Sequence, residues 1–136
     1  MRKLSLVFFI ALGLSALVGC SAIDEFGLEK ETTLEEATAM LDKIQTDIDA
    51  IVSDKSCSAT GECKVLAYGK KACGGPSIYV IYGSKIDEVL LAKKCNEYTL
   101  LQTEINNRFG LFSDCSLLIV PEVTCVDGKC VNVENN

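Results

Sequence analysis

Cysteine constrains this chain more than any other residue type. Seven cysteines, Cys57, Cys63, Cys73, Cys95, Cys115, Cys125 and Cys130, lie in the C-terminal part of a 136-residue sequence, and Cys20 stands apart from them. Thiols at this density either ligate a metal or cross-link. Metal sites draw on C-x-x-C pairs and on histidine. The chain has no histidine and no C-x-x-C pair. The expectation is therefore disulfides, no metal and no cofactor, in a protein that matures in an oxidising compartment.

The N-terminus agrees with export. Arg2 and Lys3 supply positive charge, Leu4 to Val18 run without a charge, and Gly19-Cys20 closes the run. A charged start, a short apolar core and a small residue at the end form a secretory signal. The apolar run falls short of the roughly twenty residues a membrane span requires. Its last four residues, Leu17-Val18-Gly19-Cys20, resemble the lipobox of bacterial lipoproteins. The resemblance implies a diacylglycerol on the Cys20 sulfur, cleavage before Cys20 and acylation of the new amine. Several acyl chains on one residue make a durable membrane anchor where one does not. Ser21 in place of Asp after the cysteine implies the outer membrane in a Gram-negative cell.

Cleavage removes Arg2 and Lys3 and no acid. Eleven of the thirteen basic side chains then face all nineteen acids, a net charge of −8 for residues 20–136. Such a surface argues against nucleic acid and against anionic headgroups as electrostatic partners. Lack of histidine also removes the commonest general base and the usual catalytic triads.

The remaining chain reads as one domain. Residues 20–32 are polar and aperiodic, a flexible tether from Ser21 to Glu31. Residues 33–136 form the folded part. Thr33 and Glu36 make a capping box, and Ala37, Met40, Leu41, Ile44, Ile48, Ile51 and Val52 recur at three- and four-residue steps, predicting a helix from Thr33 to about Ser53. Its acids, Glu35, Asp42, Asp47 and Asp49, are expected to face water. Residues 63–68 and 77–82 read as strands around a Gly- and Pro-rich turn. The second strand is apolar on both faces, so it is either covered on both sides or presents an open aromatic face. A longer helix is expected from Ser84 to Phe109, with Ser84 and Asp87 as a second capping box and Leu91, Cys95, Tyr98, Leu101, Ile105 and Phe109 as its stripe. Gly110 ends it. Leu117 to Val120 gives a short apolar run before Pro121, and Asp127-Gly128 joins two strands by a type I′ turn. The order helix-strand-strand-helix-strand-strand predicts an α+β fold, two amphipathic helices on a small antiparallel sheet of about four strands.

Within that hairpin Cys125 lies opposite Cys130, in a non-hydrogen-bonded pair whose Cα atoms approach to about 4.5 Å. A bridge there closes a short loop and contributes about 2 kcal/mol. Bridges from each of them to Cys57, Cys63, Cys73 or Cys115 close long loops and contribute about 4 kcal/mol each. The sequence does not choose among the connectivities. Seven cysteines leave one over, and Cys95, on the apolar stripe of a helix, is the candidate; buried there, it acts as a small hydrophobe.

Cys73-Gly74-Gly75-Pro76 is a constrained loop, with Lys70 and Lys71 as a basic spot beside it. Gly74 and Gly75 permit positive φ or close backbone approach. Lys70, Lys71, Gly74 and Gly75 are the candidate recognition loop. Cys57 and Cys63, the Cys-Gly-Gly-Pro run before an aromatic strand, Tyr98, Ser113-Asp114-Cys115 and Cys125 to Cys130 together resemble a group of small secreted bacterial proteins without an assigned activity. The resemblance covers roughly residues 57–131 and implies a six-cysteine framework with Cys95 outside it.

Three functions follow for weighing. The favoured one is a non-catalytic binding or accessory module, in one form an inhibitor, tied to the membrane by Cys20 and partnered by an envelope protein. The second is a structural envelope protein. The third, a hydrolase built on Ser113-Asp114 or on other carboxylates, lacks any spacing that singles out an acid–base pair.

Overall fold

The computed structural model describes residues 27–133. It is α+β, with two helices, four strands and three disulfides. Helix α1 spans Leu34–Ile51. Thr33 caps it: its Oγ1 accepts from the Glu36 N–H at 3.2 Å, and the Glu36 carboxylate accepts from the Thr33 N–H at 2.8 Å. Ala37, Leu41, Ile44 and Ile48 form the buried stripe, while Met40 at its edge stays exposed.

Strands β1 (Cys63–Tyr68) and β2 (Ile78–Gly83) pair antiparallel, Cys63 opposite Gly83 and Tyr68 opposite Ile78. Helix α2 runs Glu88–Phe109. Its start is corrected from the sequence reading. Asp87 is the cap itself, its Oδ1 accepting from the Leu90 N–H at 2.9 Å, and Ser84 lies in the preceding turn. A carboxylate one turn from the first free amide is as good a cap as a hydroxyl, so the later start satisfies the same donors. Gly110, at φ 60°, takes the left-handed position that ends the helix.

Strands β3 (Val123–Val126) and β4 (Lys129–Asn132) form the hairpin. Asp127 (φ 49°) and Gly128 (φ 76°) both hold positive φ, as a type I′ turn requires. The four strands make two two-stranded sheets, not one sheet of four. The outer edge of β4 is already taken. The Cys57 N–H donates to the Gly128 carbonyl and the Cys130 N–H to that of Lys55, so residues 55–57, not β1 or β2, supply the backbone partners of this edge. Leu117–Val120 belongs to no sheet among the described residues.

The main core lies between α1, α2 and the β1–β2 pair. Ile48, Leu91 and Leu101 are its largest fully covered side chains. Tyr68 meets Tyr98 edge to face, ring centres 5.2 Å apart, and its hydroxyl donates to Gln45 of α1 at 2.8 Å. Asp47, expected to face water, reaches Lys94 of α2 at 2.9 Å and ties the helices together. A second, smaller core joins Cys57, Cys63 and Cys130 with Ile81, Val123 and Cys125.

Candidate functional site

Six cysteines close three bridges. Cys57 joins Cys125, Cys63 joins Cys130, and Cys73 joins Cys115. Sulfurs of Cys57, Cys63 and Cys130 lie within 4.8 Å of one another, but each is bonded in a disulfide and none is a free thiolate. Cys95 is free and buried on α2. Burial pushes its thiol up to about 11, so the nucleophilic thiolate is scarce at neutral pH. Cys20 lies outside the described residues.

The Cys73–Cys115 bridge staples two loops, residues 69–77 and 110–121. The first is gripped from α2 by side chains one and two turns apart. Thr99 Oγ1 accepts from the Gly69 N–H at 2.8 Å, Gln102 Oε1 accepts from the Lys70 N–H at 2.6 Å, and Asn106 Nδ2 donates to the Lys70 carbonyl at 2.7 Å. Contact is close enough that a Cβ on Gly69 would stand 2.0 Å from Ser77 Oγ. Gly74 (φ 103°) and Gly75 (φ 77°) sit at the exposed tip, where a Cβ would meet nothing. They are there for positive φ, not for close approach.

The two lysines of this loop have different surroundings. Lys70 is exposed. Lys71 reaches across to the second loop, donating to the Ser116 carbonyl at 2.6 Å and lying 3.6 Å from Asp114. Asp114 accepts from the Ser116 N–H and hydroxyl, and these hydrogen bonds, with Lys71 nearby, hold its carboxyl below the usual range. It is an ionised turn acceptor, not a poised acid. Ser113 Oγ accepts from the Cys115 N–H at 3.3 Å and caps the same turn. The carboxyls of Glu36 and Asp54 are likewise lowered, by hydrogen bonds from Thr33 and Ser56.

Beside the stapled loops lies an open groove of about 760 Å³, lined by Ile78, Tyr79, Leu118, Val120, Pro121 and Val133. Tyr79, on the face of β2 that the sequence left undecided, is half-buried there. Sequence reasoning left Leu117–Val120 as a short apolar run with no assigned partner and so missed this groove and its apolar lip.

A second feature was also out of reach of the sequence. The end of the segment read as tether is fixed to α2. Glu104 Oε1 accepts from the Leu28 N–H at 2.8 Å, and the Arg108 guanidinium donates to the carbonyls of Glu29, at 2.6 Å, and Lys30. Among the described residues, no helix is long and apolar enough to cross a membrane. No family model, curated protein or solved structure matches the chain.

Proposed function

We propose that the protein is an envelope lipoprotein, held to a membrane by acyl chains on Cys20, whose folded part is a non-catalytic binding or accessory module for another envelope protein. The observation that carries this reading is Leu17-Val18-Gly19-Cys20 placed directly behind an uncharged apolar segment and a basic start. Three disulfides in one small domain fit the oxidising compartment that this route implies. A cross-linked domain is preorganised, which lowers the ordering cost of binding. The acidic balance fits a lipid tie in place of an electrostatic one.

Replacing Cys20 by Ala tests the anchor. The expected product leaves the membrane fraction or remains unprocessed at the inner membrane. A processed, fully membrane-bound Cys20→Ala protein overturns the reading. The binding role is tested by cross-linking in intact cells with the wild-type chain. Recovery of one specific envelope protein supports it, and recovery of none across growth conditions favours the structural role instead.

A further inference from the structure

We propose that Leu111–Val120 is a membrane-docking edge, which sets Phe112, Leu117 and Ile119 among the acyl chains of the bilayer that holds Cys20. It rests on the lipoprotein reading and adds an orientation to it. Phe112, Leu117 and Ile119 are 99%, 92% and 90% exposed. A cluster of large apolar side chains held in water marks a contact surface. The loop is also fixed in place. Cys115 ties its middle to Cys73, Lys71 holds the Ser116 carbonyl, and Leu118, at 39%, turns toward the groove under Tyr79. Leu117 stays outside it, and Ile119 stands at its rim with most of its side chain in water.

Position selects the occupant. The chain meets the domain at Leu28, on Glu104 and Arg108 in the last turns of α2, and Leu111 follows Arg108 by three residues. Between Cys20 and Gly27 the chain reaches at most about 25 Å at full extension. The anchor and the apolar edge therefore leave the domain from the same end of α2. Charge agrees. Residues 110–121 hold one ionisable side chain, Asp114, which accepts hydrogen bonds from Ser116 and lies 3.6 Å from Lys71, so the edge carries little charge to oppose burial among acyl chains.

The chain has no tryptophan, so a single introduced one reports cleanly. Phe112→Trp, Ile119→Trp and Val89→Trp are made in the full lipidated chain; Val89 is exposed in the first turn of α2, at the other end of the helix. Each variant is reconstituted into phosphatidylethanolamine–phosphatidylglycerol vesicles with or without brominated acyl chains. The expected result is a blue shift and bromine quenching at positions 112 and 119, and neither at 89. Vesicle-bound protein with positions 112 and 119 as unquenched as 89 overturns the docking edge and leaves the anchor standing. A chain that fails to float with vesicles and carries no lipid mass on Cys20 overturns both. A blue shift that grows with protein concentration, without bromine quenching, assigns the edge to a second copy and also overturns it.

Discussion

Cys125 and Cys130 face each other across the β3–β4 hairpin, yet each is bonded away from the other, Cys125 to Cys57 and Cys130 to Cys63. Both bridges carry the hairpin onto the rest of the domain. Each spans a sequence separation near 70 (68 and 67) and so restrains the unfolded chain by about 4 kcal/mol, against about 2 kcal/mol for the short hairpin bridge. In a Cys57→Ala chain the freed Cys125 thiol lies beside the Cys63–Cys130 bridge. Peptide mapping without reductant is expected to find Cys63–Cys130 retained and Cys125 as a thiol. A dominant Cys125–Cys130 product would mean that strain, not chain restraint, decides the pairing.

Three glycines separate steric need from chance. A Cβ on Gly83 would stand 2.4 Å from the Ser56 carbonyl oxygen, and Gly69 combines a 2.0 Å clash with φ +73°. Gly83→Ala and Gly69→Ala are each expected to cost at least about 2 kcal/mol. Gly61→Ala, with nothing within 4 Å of its Cβ, is expected to change stability by less than about 0.5 kcal/mol. Urea midpoints of the three variants decide it.

Alkali should weaken the fold. Burial raises the Cys95 thiol from 9.0 to about 11 and the Tyr68 hydroxyl to about 12, with Tyr98 and Tyr82 raised in the same direction. The folded state holds these protons more tightly than the unfolded chain does. Their contribution is therefore complete below pH 9 and is lost as pH rises through 11 and 12. Denaturation midpoints are expected to be level at neutral pH and to fall above 9, with Cys95→Ala showing a shallower early fall. In the Cys20→Ala background a thiol reagent should count no reactive thiol in the native protein and one after unfolding.

Arg108→Ala should release Leu28–Lys30 and leave the core alone. Arg108 donates to the carbonyls of Glu29 and Lys30, and its own side chain is exposed. Hydrogen exchange at the Leu28 and Glu29 amides is expected to quicken markedly, while amides of Leu91 and Leu101 keep their protection. Unchanged exchange at Leu28 would assign the docking to Glu104 alone.

What the sequence made legible was local. The Thr33–Glu36 box, the 3.6-residue stripes of both helices and the Asp127-Gly128 turn each specify their own backbone within a few residues. Nonlocal choices were not legible. Asp87 and Ser84 are both competent caps, and only packing of α2 selects Asp87. The split into two sheets depends on residues 55–57 reaching β4, a contact no periodicity encodes. Leu117–Val120 has the composition of a covered strand, but the Cys73–Cys115 bridge holds it where no strand pairs with it. The Arg108 clamp on the carbonyls of Glu29 and Lys30 leaves no pattern in the sequence, because any residue supplies a carbonyl.

The order of the bridges along the chain decides how the domain would bear tension. A pull between Leu28 and Val133 runs along α1 to Cys57, crosses to Cys125 and leaves through the hairpin. β1, β2 and α2 lie between those two cysteines, off the force path. Of the two helices, α1 alone can be drawn out as a spring, while the stapled loops and the groove keep their shape under load.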